Sequence, residues 1–323
     1  MRGAKIIGTG SYVPDTVLTN KQLEAMVETT DQWIQERTGI KERRICISEN
    51  TSDLAVKAAV NTLNSCNIEA KDIDLIIVAT VTPDGMIPSV ACKVQKAIGA
   101  DKAMAFDISA ACSGFLFALD IANKYISTGA YNNALIIGAE VLSKIVDWQD
   151  RNTCVLFGDG AGGVILTMTE KPCILNINCK SEGEKGNALT CNNLPVNNVL
   201  KDNENVEKIK MNGKEIYKFA VRVMEEEFKR ILREEKIDKE NINFILPHQA
   251  NIRMIESFSK KIQIPLPKFI LNLDRFGNTS GASIPIALDE AVKGFKLTKG
   301  DNIIVIGFGG GLTYGSALIK WDI

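Results

Sequence analysis

The chain contains one histidine among its 323 residues, and this scarcity excludes several kinds of site at once. A mechanism that needs two histidines is excluded, and so is a histidine-rich metal centre. The histidine, His248, follows a short apolar segment at residues 243–247 and begins the sequence His-Gln-Ala-Asn. A single imidazole in so long a chain has either no special role or one role, so His248 is the first candidate functional residue.

Other absences narrow the class of protein. The eight cysteines are scattered, and no two are spaced as Cys-x-x-Cys, which argues against a zinc site and a disulfide framework. No window approaches the roughly 18–20 apolar residues of a membrane span, and the first residues do not resemble a signal peptide. The net charge of −1 gives no indication of nucleic-acid binding. We therefore expect a soluble, cytoplasmic protein with reduced thiols.

The apolar residues that are present alternate between strand-like and helix-like patterns, which predicts an α/β fold. Residues 75–80, 103–107 and 134–138 are continuously apolar, as buried strands of a parallel sheet are. Helical patterns occur at 53–63 and 113–126, and a capping-box spacing of Thr and Gln predicts a helix that begins at residue 19. The segment 113–126 is apolar almost all round, so we expect a central, buried helix.

The second half of the chain repeats features of the first. The glycine-rich segment 157–166 has a counterpart at 307–319, and residues 113–120 are echoed by 280–289. The offset is about half the chain, which indicates a duplicated domain. We place the boundary so that the halves are residues 1–171 and 172–323, and we interpret the polar, Asn-rich stretch 179–208 as a solvated excursion. A site between two related halves could take groups from each.

Cys112 stands where a predicted strand turns sharply into the predicted buried helix. The residues between them are small, and Gly114 allows a close approach. This is the arrangement of a nucleophile elbow, in which a reactive side chain is presented at a helix N-terminus. We expect the helix dipole to lower the pKa of the thiol from about 8.5 toward ~7. Cys112 is therefore the predicted nucleophile, and we interpret the other cysteines as core or surface residues.

Asn278 lies in Gly-Asn-Thr-Ser-Gly, before a second apolar helical pattern at 284–292. By itself such an asparagine is typical of a helix N-cap or a turn. Its place in the second half corresponds closely to that of Cys112 in the first, so a duplicated fold would bring both toward one cavity. The glycines at 307–311 match no phosphate-loop pattern, and we predict that they bring a backbone N–H close to a reacting carbonyl, as an oxyanion hole requires.

Together these motifs resemble β-ketoacyl-acyl-carrier-protein synthase III, the initiating condensing enzyme of bacterial-type fatty acid synthesis, in the thiolase superfamily. The resemblance rests on residues 107–115, 247–251, 277–280 and 309–311, and it extends over essentially the whole chain. It implies a five-layer αβαβα thiolase-like fold made of two duplicated halves, and a homodimer. It also implies an acyltransferase that condenses a short-chain acyl-CoA primer with malonyl-acyl-carrier protein to give 3-oxoacyl-acyl-carrier protein.

The resemblance also implies roles for individual residues. Cys112 would take the acyl group from acyl-CoA as a thioester. His248 and Asn278 would hydrogen-bond the malonyl thioester carbonyl and stabilise the enolate formed as carbon dioxide leaves, because neutral N–H donors bind more strongly as charge develops. The backbone N–H groups of Cys112 and Gly310 would hold the tetrahedral oxyanion. No metal and no further cofactor is implied, since acyl-CoA enters as a substrate.

A binding site for CoA is implied as well. Trp33 and Arg37 would hold the adenine between them, since an indole and a guanidinium both stack on flat rings. Arg151 matches the other arginine of the adenine and phosphate region. The residues implied along the pantetheine arm are Asn251, Gly213, Tyr217 and Ala220.

Two surface features complete the expectations. Lys218, Arg253, Lys260 and Lys261 could dock an acidic carrier protein, although a basic patch is usually just solvated. Ile87 stands where acetyl-specific members carry an aromatic residue that reaches into the partner subunit's acyl pocket. A smaller, branched residue there leaves the length and branching of the primer open.

Related enzymes differ at the same positions. Elongating ketosynthases use two histidines, and thiolases use a second cysteine in the C-terminal glycine loop, whereas no cysteine follows Cys191 here. Type III polyketide synthases share the Cys-His-Asn set and remain an alternative, as does a secondary-metabolite ketosynthase that uses other acyl donors. A non-catalytic scaffold subunit would be expected to have lost one of the three residues.

Overall fold

The computed structural model describes residues 2–192 and 206–323, so part of the predicted polar excursion lies outside the described residues. Within these ranges the strands are β1 Gly3–Tyr12, β2 Val17–Thr19, β3 Glu42–Arg44, β4 Leu75–Ala79, β5 Met104–Ile108, β6 Asn133–Glu140, β7 Gly160–Thr169, β8 Ile174–Ser181, β9 Leu189–Thr190, β10 Lys210–Met211, β11 Phe244–Pro247, β12 Asn302–Gly309 and β13 Thr313–Lys320. The α-helices are α1 Asn20–Leu23, α2 Asp31–Thr38, α3 Thr51–Asn64, α4 Val90–Ile98, α5 Gly114–Ser127, α6 Arg151–Cys154, α7 Gly213–Glu235, α8 Ile252–Ile262, α9 Leu273–Phe276 and α10 Ser283–Lys293.

Two larger sheets share one topology. The first has the order β1-β7-β6-β4-β5, in which β4 is parallel to β5 and β6, and the other neighbours are antiparallel. The second has the order β11-β12-β13-β8, in which β11 is parallel to β12 and the other pairs are antiparallel. Strands β8, β13, β12 and β11 thus occupy the places of β1, β7, β6 and β4. The place of β5 is taken by a single parallel bridge between Ile245 and Phe269.

The helices fill three layers around these sheets. Helices α5 and α10 lie between them, because their apolar residues join one core cluster with residues from both sheets. Helices α3 and α4 pack on the outer face of the first sheet, and α7 and α8 on that of the second. The five layers confirm the predicted thiolase-like αβαβα fold. All strands of the first sheet precede residue 171 and all strands of the second follow residue 172; the halves as duplicated units stay a prediction.

Most predicted elements are present, with three differences. Thr19 and Gln22 form the predicted capping box, but the helix they begin is only the single turn α1. The prediction that strand β5 is buried is wrong. β5 is the edge strand, and its side chains are only partly covered. The polar stretch that follows residue 179 does not begin as an excursion: it completes β8 and then enters a turn with a buried Ala188. No described helix is both long enough and apolar enough to cross a membrane.

Candidate active site

Cys112 lies on the turn that joins β5 to the buried helix α5. The turn is a single 3-10 segment, Ala111–Ser113, and Ala111 adopts a left-handed backbone conformation with φ of 46°. Gly114 begins α5, where a Cβ atom would stand 3.0 Å from that of Ala79 in β4. The close packing of helix and sheet therefore requires a very small residue after the turn, as the elbow interpretation predicted. The thiol itself is buried, with 6% of the residue exposed.

We expected the helix dipole to lower the pKa of the Cys112 thiol, and this expectation is wrong. Burial, with a smaller contribution from the nearby Glu140 carboxylate, raises the pKa of Cys112 to about 12, although the Ser280 hydroxyl and the cysteine's own N–H act in the opposite direction. The position at a helix N-terminus favours a thiolate, but complete desolvation disfavours any charged form. At neutral pH the Cys112 side chain is therefore a thiol and not a thiolate.

Asn278 is held by backbone pairing to the segment that precedes β7. Its N–H donates to the Leu156 carbonyl at 2.8 Å, and its own carbonyl accepts the N–H of Gly158 at 3.0 Å. The side-chain Oδ1 accepts the N–H of Ser280 at 2.8 Å, which leaves the amide NH₂ as the group available to a ligand. Asn278 is not the N-cap of α10, since that position is Ala282.

The correspondence between Asn278 and Cys112 is less close than the sequence suggested. In the second half the turn before the helix is Ser280–Ala282, and Ser280 has the left-handed φ of 48° that Ala111 has in the first half. Ser280 therefore matches Ala111, and Gly281 matches Cys112. Asn278 lies on the approach to the turn, and the predicted alignment of the two residues is wrong by three positions.

His248 follows β11 directly and is 1% exposed. Its N–H continues the sheet by donating to the Ile306 carbonyl at 2.8 Å, and its ring packs edge-on against Phe308 with centroids 5.2 Å apart. Its Nδ1 lies 2.6 Å from the Ser283 hydroxyl, on the first turn of α10. Burial lowers the pKa of His248 to about 3, so the imidazole is neutral at physiological pH.

A cavity of about 150 Å³ brings the three predicted residues together. Cys112, His248 and Asn278 all line it, with Phe308 and Gly309. A second, partly open cavity of about 360 Å³ adjoins the first at Cys112, and Gly310 joins Cys112 in its wall. Its apolar lining comes from Val81, Leu142, Ile145, Phe157, Leu189 and Ile209.

A third, open cavity of about 730 Å³ lies outside the central one and contains the predicted adenine residues. Trp33, Arg37 and Arg151 line it, and it shares Gly213 and Asn251 with the central cavity. The guanidinium of Arg151 lies 4.8 Å from the centre of the Trp33 ring, closer than that of Arg37 at 5.8 Å. The three cavities thus form one path from a stacking surface, past the thiol, to an apolar pocket.

Not every predicted residue lies on this path. Tyr217 lines the central cavity, but Ala220 is fully buried in the core that α7 forms with the second sheet, because it lies on the inner face of that helix. Ile87 is 91% exposed and lines neither cavity beside Cys112. Arg253 borders the outer cavity. Of the remaining basic residues, Lys218 lines a separate hollow on α7, Lys260 is exposed, and Lys261 is paired with Glu225 at 2.6 Å.

Sequence reasoning missed three polar residues around the site: Ser283, Ser280 and Glu140. Ser283 bonds the imidazole, and Ser280 lines the apolar cavity beside Cys112. Glu140 is a fully buried carboxyl group at the end of β6. The available signal was a charged residue two positions after the apolar segment 134–138, where a continuation of the strand would carry its carboxyl group into the core.

Comparison with known proteins agrees with the geometry. The family model of 3-oxoacyl-[acyl-carrier-protein] synthase III matches residues 106–183, and the model of its C-terminal part matches residues 232–321. A β-ketoacyl-[acyl-carrier-protein] synthase III of Clostridium perfringens is 55% identical over 323 residues, covering 99% of this chain and 100% of the relative. The relative from Clostridium acetobutylicum is 51% identical and covers 99% of both chains.

A solved structure supports the same relationship. The crystal structure of 3-oxoacyl-[acyl-carrier-protein] synthase III from Aquifex aeolicus superposes with a TM-score of 0.93 at 47% identity, covering 99% of this chain and 100% of that one. Shared fold, full-length identity and a cavity lined by cysteine, histidine and asparagine lead to one conclusion. The chain belongs to the 3-oxoacyl-[acyl-carrier-protein] synthase III family.

Proposed function

We propose that the protein joins a short-chain acyl-CoA primer to malonyl-acyl-carrier protein, with Cys112, His248 and Asn278 as its catalytic residues. The enzyme is an acyltransferase of the condensing type that initiates fatty acid synthesis, as its full-length relatives are. The observation that carries the residue assignment is the central cavity, where a thiol, an imidazole and an amide meet between a stacking surface and an apolar pocket.

In the first half-reaction, Cys112 attacks the thioester carbonyl of acyl-CoA. The adenine stacks at Trp33, with Arg151 as the nearer guanidinium, and the pantetheine arm passes Gly213 and Asn251 toward the thiol. The acyl chain enters the apolar cavity behind Cys112. The backbone N–H groups of Cys112 and Gly310 stabilise the oxyanion of the tetrahedral intermediate. No metal or redox cofactor takes part in this step.

In the second half-reaction, His248 and Asn278 bind the thioester carbonyl of the malonyl group. Both must donate N–H groups, because negative charge develops on that oxygen as carbon dioxide leaves. For Asn278 the free group is the amide NH₂, since Oδ1 already accepts from Ser280. For His248 the donor is Nε2–H, which requires the Ser283 hydroxyl to donate to Nδ1. The enolate then attacks the acyl-Cys112 carbonyl.

We propose two protein partners, an acidic carrier protein and a second copy of the chain. The acidic carrier protein docks near Arg253, Lys218, Lys260 and Lys261, so that its pantetheine arm enters by the outer cavity. A homodimer covers the exposed loop that carries Ile87, and this residue then borders the acyl pocket of the partner subunit. We place the enzyme in the cytoplasm, where acyl-CoA and reduced thiols coexist.

The direct test is acyl loading measured by intact-protein mass spectrometry. The protein is exposed briefly to acetyl-, butyryl-, isobutyryl- and malonyl-CoA, and any adduct is located by peptide mapping. We expect a single acyl adduct on Cys112 from a short primer, and the order of the rates gives the primer preference. Cys191 lines the same cavity, so Cys191→Ser is the matched control and should load normally. Loading by malonyl-CoA alone, or no adduct from any primer, would refute the proposal.

A further inference from the structure

The Glu140 carboxyl group has no place in the mechanism above, although it lies close enough to Cys112 to affect the charge on the thiol. It ends β6 and is fully buried. Within residues 2–192 and 206–323, no lysine or arginine forms an ion pair with it. Burying a carboxylate without a cation is unfavourable, because the charge loses its solvation by water. Its presence beside the nucleophile therefore calls for a chemical reason.

The two carboxylate oxygens of Glu140 accept different numbers of hydrogen bonds. Oε2 accepts the Thr82 hydroxyl at 2.6 Å, the Val81 N–H at 3.1 Å and the Thr80 hydroxyl at 3.2 Å. Both hydroxyls must point their protons at the carboxylate, because the Thr82 oxygen accepts from the Val141 N–H and the Thr80 oxygen from the Thr82 N–H. Among the described residues, Oε1 accepts one backbone hydrogen bond, a share of the Val81 N–H at 3.3 Å, so it is the less occupied oxygen and the one able to take up a proton.

Ser280 lies between this oxygen and the nucleophile. Its hydroxyl acts on both groups, because it lowers the pKa of the Cys112 thiol and that of the Glu140 carboxyl group. The next residue, Gly281, lies beside both segments, because a Cβ atom there would stand 3.5 Å from Glu140 Oε1 and 3.4 Å from the Ala111 carbonyl. The residue is 2% exposed and lines the cavity with Cys112. The order thiol, hydroxyl, carboxylate is that of a proton relay.

The other titratable groups nearby are poorly suited to accept the cysteine proton. Burial lowers the pKa of His248 to about 3, whereas burial raises that of Glu140 to about 7, against the effect of its hydrogen-bond donors. Lys144 attracts Glu140, but its ammonium group bonds the Asn50 and Thr51 side chains and the Pro83 carbonyl. Asp159 is occupied by Ser143 and by the Cys46 N–H.

We propose that Glu140 accepts the proton of Cys112 through the hydroxyl of Ser280. The inference rests on the proposed function in one respect: it assumes that Cys112 is the nucleophile. Two neighbouring buried acids resist being ionised together, so above the pKa of Glu140, about 7, the pair carries one negative charge that can move between them. Ser280 contacts the reacting sulfur, and Glu140 acts through it.

The protons of both half-reactions balance if Glu140 holds the Cys112 proton between them. As Cys112 attacks acyl-CoA, its proton passes to the Ser280 oxygen and the Ser280 proton passes to Glu140 Oε1. The bond between the acyl carbon and the CoA sulfur breaks, and the CoA thiolate takes a proton from water. In condensation, collapse of the second tetrahedral intermediate expels the Cys112 thiolate. That thiolate recovers its proton from Glu140 through Ser280, which regenerates the starting state.

The test is the pH dependence of Cys112 alkylation by iodoacetamide, which needs no CoA and no carrier protein. The wild-type rate constant should rise with pH through an inflection near 7, as Glu140 ionises. In Glu140→Gln the inflection should disappear, and the rate at neutral pH should fall on the order of 10²-fold. If Glu140 only repels the thiolate, the variant will instead react faster at neutral pH, and the proposal is wrong.

Ser280→Ala tests the relay with the carboxylate in place, and it decides the matter if Glu140→Gln does not fold. It should lose the same inflection; an unchanged profile would refute the relay. The matched control is Asp289→Asn, which alters a carboxyl group that is 1% exposed and accepts the Thr9 and Ser11 hydroxyls. Its profile should match wild type. Normal acyl loading with unaltered profiles in both relay variants would leave the proposed function standing without the relay.

Discussion

Two turns that lead into buried helices meet at the candidate active site. They have nearly the same backbone conformation but carry different chemical groups. Ala111 and Ser280 have nearly the same left-handed φ, 46° and 48°, and α5 and α10 begin three residues later. After Ala111 the chain places a thiol; after Ser280 it places Gly281, whose carbonyl would be 2.1 Å from a Cβ atom on Gly138. The second turn is therefore packed tightly against the first sheet, and in the mechanism that we propose it supports the thiol and supplies no second nucleophile.

The residues at the strand ends differ in the same way. Thr80 follows β4 and His248 follows β11, the corresponding strand of the second sheet. Thr80 donates to the Glu140 carboxylate, whereas His248 bonds the Ser283 hydroxyl. In the mechanism that we propose, the first half supplies the thiol and a carboxylate, and the second half supplies two neutral N–H donors. The central claim is that the two halves have different chemical roles, and substitutions in each half can test those roles separately.

The largest effect is expected when the first turn loses its thiol. In Cys112→Ser the hydroxyl has a far higher pKa than a thiol and is a poorer leaving group, so acyl loading should fall below detection. Intact-protein mass spectrometry with the preferred primer measures this directly. Cys191→Ser, in the same cavity, should load at the wild-type rate. Loading of the Cys112→Ser protein at a comparable rate would mean that another residue is the nucleophile.

The next largest effect is expected at Asn278, in the second half, and it should be confined to one half-reaction. Asn278→Asp keeps Oδ1 as the acceptor for the Ser280 N–H but loses the NH₂ donor, so the turn is preserved while the enolate loses a hydrogen bond. We expect release of carbon dioxide from malonyl-acyl-carrier protein to fall on the order of 10²-fold. Acyl loading of Cys112 should change little. Equal losses in both half-reactions would show that Asn278 positions the nucleophile instead.

A smaller effect is expected at the residue that orients the histidine. Ser283→Ala removes the donor to Nδ1, so the Nε2–H tautomer is no longer favoured, at a cost of about 1 kcal/mol. Condensation should slow several-fold while acyl loading is unaffected, as measured by single-turnover kinetics of each step. Ser259→Ala, which removes another buried hydroxyl that donates to the Ile264 carbonyl, is the control. Equal slowing in both variants would contradict the tautomer argument.

The smallest effect is expected outside both turns. Trp33→Ala removes the stacking surface of the outer cavity, which is worth roughly 1–2 kcal/mol to a bound purine. The KM for acyl-CoA should rise about tenfold, with kcat for condensation nearly unchanged, because the lost interaction is uniform binding. Steady-state kinetics with varied acyl-CoA measures the split. A fall in kcat without a change in KM would place the adenine elsewhere.

How much of this site the sequence predicts depends on whether the signal is local. The elbow around Cys112, the strand end at His248 and the asparagine before α10 were all predicted, because small residues and apolar periodicity mark them in short segments. Glu140 and Ser283 were missed, since their partners are 60 residues away at Thr80 and 35 residues away at His248. The alignment of Asn278 with Cys112 failed because it depends on backbone angles that serine and alanine rarely adopt.

The pKa of Cys112 shows the same limit of prediction from local sequence. The helix start that favours a thiolate is visible in sequence, but the complete burial and the Glu140 carboxylate that raise the thiol pKa arise from tertiary packing. Ala220 was misplaced for a related reason: one helix can present a tyrosine to the cavity and bury an alanine one turn later in its core. Residue spacing predicts the face only after the helix has been docked.

The most direct test of the divided labour is a single-turnover chase with His248→Ala. The wild type and the variant are first loaded with the same primer, and malonyl-acyl-carrier protein is then added while the acyl-Cys112 adduct is followed by intact-protein mass spectrometry. We predict that both proteins load and that only the wild type loses its adduct, with 3-oxoacyl-acyl-carrier protein appearing at the same rate. Loss of the adduct from His248→Ala at the wild-type rate, or failure of that variant to load, would contradict the account.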